Sequence, residues 1–342
     1  MNPISIGGVR MLNYLKKAGL FVSALVVALP IHAQAETVLR FATTLPDQTA
    51  IVTDFLAPWA KRVTEASGGE LRIEVVNGST IADSRNVYER VLSGVVDIAW
   101  GTHGAMPVAF PKTSVSVLPF EVPNATIGSK ALWALYEQDL LKGEYDPIAP
   151  LGLVATPPAG LHARSAITSL KDMAGLKIRA SDALTSKTIT AIGASPIAMT
   201  PPELYQGLSQ GVLDAVHTPY TGLVTFKLQE VAPHHLDVPL GALPGMIFIN
   251  RAVYEGLPEK ARAALDSEAG ETLSVAFGEW FDKFAVASRA KAMDTPGNVG
   301  VELTEEETAR WREATKSVTD GWVQETADGD AILKAFRAAM SE

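Results

Sequence analysis

Residues 38–78 read VLRFATTLPDQTAIVTDFLAPWAKRVTEASGGELRIEVVNG, and this stretch decides the fold. Val38 to Thr43 is apolar and β-prone, and Pro46-Asp47 turns the chain after it. Ile51, Phe55, Trp59 and Val63 then recur at fourfold spacing, which buries one face of a helix. Gly68-Gly69 ends that helix, because glycine accepts the left-handed backbone of a helix terminus. Leu71, Ile73 and Val75 alternate as a second strand up to the turn pair Asn77-Gly78. Beyond it, Val87, Val91 and Leu92 mark a second helix that stops at Gly94, and Val96 to Trp100 reads as a third strand. The order βαβαβ predicts an α/β fold, since parallel strands need crossovers and the crossover helices cover the sheet faces.

The same unit returns downstream. Tyr88, Gly94, Val95 and Asp97 share their mutual spacings with Tyr205, Gly211, Val212 and Asp214, and Leu71-Arg72-Ile73 has a counterpart in Leu176-Lys177-Ile178. Two similar lobes follow from the repeat. Thr200 with Glu203 forms a capping box, and Pro201 takes the first helical position, where a missing N–H costs nothing. Pro258 to about Met293 predicts one long helix, with Leu265, Leu273, Phe277, Phe281 and Phe284 as its apolar stripe. At 1.5 Å per residue such a helix reaches along both lobes. A strand near Val299 to Leu303 and a helix from Thr304 through Trp311, Val318 and Trp322 close the chain, and the absence of a linker predicts more than one crossing between lobes.

The amino terminus carries a different signal. Arg10, Lys16 and Lys17 precede an apolar run from Ala18 to Ile31, and Ala33-Gln34-Ala35 is a small-x-small cleavage site, so residues 1–35 read as a secretory signal peptide cut near Ala35/Glu36. The run falls short of the roughly 20 apolar residues of a membrane span. The three leader cations take the formal net charge from −9 to −12 on removal. That acidic surface repels nucleic acid and anionic lipid, so an anionic ligand needs a local cation. With no cysteine, disulfides, thiol chemistry and a lipid-modified cysteine are excluded.

Catalytic patterns are missing: no Gly-x-Ser-x-Gly elbow, no phosphate loop, no Gly-x-Gly-x-x-Gly after a strand, no His-Glu-x-x-His helix. His234 and His235 are adjacent, which on a strand sends them to opposite faces and argues against a shared metal. Glu305, Glu306 and Glu307 suit a solvated helix start. Arg179 stands apart. It ends the strand Leu176-Lys177-Ile178-Arg179, and ligands of open parallel sheets sit beyond the carboxyl ends of strands. Its guanidinium offers a fork of donors matched to a carboxylate; the alternative is a surface ion pair with Asp182. The strand Leu213 to His217 delivers His217, Thr218 and Tyr220 to the same region, and Trp100 and His103 end the equivalent strand of the first lobe.

Leu170-Lys171-Asp172-Met173-Ala174-Gly175-Leu176-Lys177-Ile178-Arg179, Gly193-Ala194-Ser195-Pro196, Glu203-Leu204-Tyr205 and Gly211-Val212-Leu213-Asp214 together resemble the solute-binding proteins of tripartite ATP-independent periplasmic (TRAP) transporters, the DctP family. Gly94-Val95-Val96-Asp97-Ile98, Leu118-Pro119-Phe120 and Phe248-Ile249-Asn250 are similar to it as well, so the resemblance covers essentially the whole mature chain. It implies a two-lobe periplasmic binding protein fold, each lobe a mixed/parallel sheet flanked by helices, with a long helix bracing both lobes. Lobe I is expected at 36–155 plus 244–285 and lobe II at 156–243 plus 286–342. It also implies a periplasmic receptor with no enzymatic activity, cofactor or metal, closing by hinge motion on a small-molecule carboxylate that Arg179 grips. Its partners would be the small and large integral membrane permease subunits, with no nucleic acid and no direct membrane anchoring.

In relatives that bind sialic acid, a second arginine falls near Pro158 and an asparagine near Thr218; both are absent here. A compact monocarboxylate bearing a hydroxyl, keto or aromatic group is therefore expected, with His217, Thr218, Tyr220, Trp100, His103, Phe120 and Phe248 as further site residues. A dicarboxylate requires Arg85 or His217 at the second charge. Other functional classes are a ligand receptor for a membrane signalling protein and a secreted α/β hydrolase, which would turn its ligand over.

Overall fold

The computed structural model describes residues 36–78, 81–106 and 109–341; the leader read in residues 1–35 lies outside them. Eleven strands lie among the described residues: β1 Thr37–Ala42, β2 Leu71–Val76, β3 Ile98–Thr102, β4 Ile148–Ala155, β5 Gly160–Ala163, β6 Lys177–Ala180, β7 Ser195–Ala198, β8 Ala215–Thr218, β9 His234–Asp237, β10 Pro244–Asn250 and β11 Val299–Glu302. They form two sheets, ordered β2-β1-β3-β10-β4 and β11-β9-β5-β8-β6-β7. In the first, β1 runs parallel to β2 and β3, while β10 is antiparallel to β3 and β4. In the second, β6 runs parallel to β7 and β8, and β5 is antiparallel to β8 and β9. The chain passes between sheets from β4 to β5 and back from β9 to β10. This is a two-lobe α/β architecture with helices on both sheets.

The repeat has a physical basis. Asp97 accepts the backbone N–H of Arg40 at 2.7 Å, and Arg40 donates to the carbonyl of Gly94. Asp214 accepts the N–H of Lys177 at 2.8 Å, and Lys177 donates to the carbonyl of Gly211. In each half an acidic loop residue thus ties down the central parallel strand, and a strand cation covers the carbonyl left bare at a helix end. These bonds correct the counterpart read from sequence: the strand holding Lys177 corresponds to β1, the middle strand, and Leu71–Ile73 lies on the neighbouring edge strand.

The helix expected from Pro258 to Met293 is two, Glu259–Ser267 and Gly270–Met293. The break has a buried cause: Trp59 donates its indole N–H to the Glu268 carbonyl at 2.7 Å, and Gly270 has φ +75°. The 24-residue helix Gly270–Met293 does span both halves. Leu273, Phe277 and Phe281 join the first sheet's core with Phe55 and Trp100, while Ala292 joins a second-sheet cluster with Leu213 and Val216. Gly278 lets the helix Ala125–Glu137 approach, since a Cβ there would lie 2.6 Å from the Thr126 Cα. Asp282 completes that joint by accepting from the N–H groups of Ala125 and Thr126. The carboxyl-terminal helices serve both halves: Trp311 packs with the second sheet's residues, and Trp322, Ile332 and Phe336 pack with the first sheet's.

Candidate functional site

The carboxyl ends of β3, β6 and β8 converge on a cavity of about 220 Å³ between the sheets. From them come Trp100 and Thr102, Arg179 and Ser181, and Thr218 and Pro219. Thr156 and Leu243, one from each crossing segment, line the cavity; their backbones pair, Thr156 N–H to the Leu243 carbonyl at 2.9 Å. Gly104 also lines the cavity and meets Asp182 of the other half, where a Cβ would stand 3.2 Å from the Asp182 Cβ. Trp280, Phe281 and Phe284 of the long helix, with Leu204, Pro201 and Phe226, supply apolar wall, and Thr44, Thr49, Ser84, Thr221 and Thr225 add hydroxyls. Among the described residues, Arg179 is the only charged side chain on this wall.

Arg179 is 7% exposed. Its Nε donates to the Met199 carbonyl at 3.1 Å and an Nη to the His217 carbonyl at 3.4 Å. Both partners are neutral, so the guanidinium is oriented without being neutralised. Burial pulls its pKa down to about 10, and the charge of Asp182 offsets part of that fall. Asp182 is itself engaged at the start of the helix Ala183–Ala191, accepting from the Thr185 N–H at 2.8 Å and from the hydroxyls of Ser181 and Thr185. A desolvated cation facing an apolar cavity is stabilised by an incoming anion more than water-exposed charges are.

Two glycines make room for the neighbouring side chains. A Cβ on Gly245 of β10 would lie 2.5 Å from the Trp100 ring, and one on Gly222 would lie 2.4 Å from the Thr218 hydroxyl. Trp100 itself is buried against Phe277 at a centroid distance of 4.7 Å, so it is both core and cavity wall.

Of the expected site residues, Arg179, Thr218 and Trp100 stand together on the cavity. The others do not. His217 contributes its carbonyl to Arg179, but its ring points away, with Nε2 on the Leu240 carbonyl at 3.1 Å, and burial lowers its pKa to about 4. The reason is strand alternation: Thr218 faces the cavity, so His217 cannot. Tyr220 donates to Asp237 at 2.7 Å behind the sheet. His103 packs against Phe110 and Tyr145 and holds the Tyr145 hydroxyl at 2.8 Å, on a different cavity. Phe120, with φ +64°, lies under Arg312 toward the carboxyl-terminal helices. Phe248 is fully buried beside Tyr88. Arg85 is exposed, and only its neighbour Ser84 lines the cavity. Sequence reasoning missed Thr102, Thr156 and Trp280. Trp280 borders the stripe already read in the long helix, whereas Thr156 carries no local signal.

Known proteins share this fold. A solute-binding protein of an unidentified marine microbe, described as specific for aromatic acid ligands and solved with 3-hydroxybenzoate, superposes with a TM-score of 0.85 at 26% identity, over 90% of this chain and 98% of its own. A Bordetella bronchiseptica TRAP solute-binding protein with bound (R)- and (S)-mandelate gives 0.82 at 30% identity, over 89% and 99%. The outer membrane transporter protein TsaT of Comamonas testosteroni is 25% identical over 330 residues, 93% of this chain and 96% of its own length. The model of bacterial extracellular solute-binding protein, family 7, matches residues 41–326. With that match across both sheets and the cavity between them, the chain belongs to the DctP family of extracellular solute-binding proteins.

Proposed function

We propose that this protein is the extracytoplasmic receptor of a TRAP transporter for a small aromatic monocarboxylate. One observation carries the reading: a single desolvated arginine, the only charged side chain on the described wall, faces a cavity lined by aromatic and aliphatic side chains with threonines and serines among them. Arg179 takes the carboxylate, and Trp100, Trp280, Phe281 and Phe284 cover a ring. A second carboxylate has no cation among the described lining residues, while the threonines and serines of the wall can hydrogen-bond a hydroxyl on the ring. At about 220 Å³ the cavity is smaller than the roughly 300–1,000 Å³ of drug-sized sites, which suits one ring with one acidic group. The relatives solved with 3-hydroxybenzoate and with mandelate support this chemistry.

The lobes move about the paired crossings at 156–159 and 238–243, with lobe I at 36–155 plus 244–285 and lobe II at 156–243 plus 286–342. The carboxyl-terminal helices stay in contact with both. The leader sends the chain to the periplasm, is removed near Ala35, and the closed complex docks on the small and large permease subunits. Closure is driven only by ligand contacts that exist in the closed state and not the open one.

Calorimetric titration with benzoate, 3-hydroxybenzoate, mandelate, succinate, glucuronate and benzamide tests the reading. The three aromatic acids are expected to bind and the uncharged benzamide to bind at least a hundredfold more weakly. Binding of succinate or glucuronate in preference to benzoate would refute the aromatic assignment, and binding of benzamide as tightly as benzoate would refute the role of Arg179.

A further inference from the structure

Behind Thr218 lies a hydrogen-bonded chain that ligand capture, as described, does not use. His162 of β5 and His235 of β9 are register partners, both fully buried, with their Nδ1 atoms 2.9 Å apart. His162 Nε2 lies 3.0 Å from the Thr218 carbonyl, and His235 Nε2 lies 2.7 Å from the Asn298 side-chain oxygen. The proton positions follow from the partners. A carbonyl only accepts, so His162 Nε2 carries the hydrogen. Burial and the neighbouring imidazole keep His162 uncharged, so its Nδ1 is bare and only accepts. His235 must then donate through its own Nδ1. With the Asn298 oxygen on Nε2 as it stands, Nε2 must also donate and His235 is charged; turning the amide over brings its nitrogen to Nε2 and lets His235 be neutral, and the bond to His162 persists in both arrangements.

The surroundings fit a rigid element. The Tyr220 ring packs on His162 at 4.8 Å and on His235 at 5.7 Å, and its hydroxyl is held by Asp237. Asp237 in turn pairs with Arg289 of the long helix at 2.8 Å, and Arg289 also approaches Glu302. His217 and His234 are the remaining titratable neighbours.

We propose that His162 and His235 are positioning residues of the ligand site, a strut of two imidazoles in fixed tautomers that holds the Thr218 carbonyl and so aims the Thr218 hydroxyl and the Pro219 wall at the ligand. The strut is a property of the ligand-free protein; its effect on affinity rests on the reading of the cavity as a carboxylate site.

Two measurements separate these levels. Long-range proton–nitrogen NMR on histidine-labelled, ligand-free protein near neutral pH reads the tautomers directly, with signals assigned by single substitutions. His162 as the Nε2–H form and His235 with a proton on Nδ1 are expected; His162 as the Nδ1–H form, or charged, overturns the proposal whatever the ligand is. The second measurement is benzoate affinity in paired variants. Gln places an amide nitrogen near the Nε2 position, so His162→Gln should bind within about twofold of the native protein. His162→Leu removes the donor and should lose about tenfold, the scale of one buried hydrogen bond left unmade. Equal affinities of the two variants overturn the proposal. Should His162→Leu fail to fold, His235→Asn, which keeps a donor near Nδ1, against His235→Leu makes the same comparison. If the native protein ignores every acid, the carboxylate reading fails and the tautomers still decide the strut.

Discussion

Replacing Arg179 by methionine removes the charge and keeps most of the side-chain volume. In the ligand-free protein it leaves the Met199 and His217 carbonyls without this donor while relieving the desolvation that drags the guanidinium's pKa to about 10. These effects oppose each other, so stability should change by no more than about 1–2 kcal/mol. Binding has no such compensation. A carboxylate in this cavity finds no other cation among the described lining residues, and loss of one partner of a desolvated charge pair costs about 2–5 kcal/mol. That is a fall of roughly 30- to 4,000-fold in affinity at about 1.4 kcal/mol per tenfold. Titration calorimetry with benzoate and benzamide side by side reads it: the native protein should prefer the acid strongly, and Arg179→Met should lose that preference through weaker benzoate binding. A variant that binds benzoate with native affinity would show that Arg179 does not hold the carboxylate.

Gly245→Ala drives a Cβ to within 2.5 Å of the Trp100 ring; overpacking of this kind costs about 1–3 kcal/mol, and the displaced ring should weaken aromatic acids about tenfold, so unchanged melting and affinity would contradict the placement of Trp100 on the wall. The buried histidines make folding pH-sensitive. His103 and His217 are held near 4 by burial, below the ordinary 6.5, so between those values the unfolded chain binds more protons and stability is lost as pH falls. Each contributes a slope approaching about 1.4 kcal/mol per pH unit, and urea denaturation that is flat from pH 6.5 down to 5 would exclude their burial as neutral groups.

Local patterns were legible because they are local. The strands β1 and β2 fall within one residue of the segments read as strands, β3 overlaps its segment but runs two residues later, the capping box at Thr200 and Glu203 forms, and the glycines Gly94 and Gly211 take the positive φ that their helix ends need. Arg179 was legible for the same reason: its place at a strand tip, beyond which parallel sheets bind ligands, needs only the strand pattern around it. The long helix was over-read by one break, since the cause, Trp59 reaching the Glu268 carbonyl, comes from 209 residues away. His217 was over-read because strand alternation turns its ring away from the face that Thr218 presents, and Tyr220 because β8 ends at Thr218 and the helical turn that follows carries its ring to Asp237.

By itself the sequence determined the first three strands with the helical segments between them, the repeat of that unit that marks two α/β halves, and the strand that carries Arg179 near its carboxyl end. Hydrophobic periodicity, turn residues and caps act over a few residues and are written in order. Tertiary structure alone decided that β10 enters the first sheet antiparallel, that Thr156 and Leu243 line the cavity, and that the long helix brings Trp280 and Phe284 onto the same cavity as Arg179. These are meetings of surfaces far apart along the chain, set by how two sheets and one helix pack. No local pattern records which face each will present to the other.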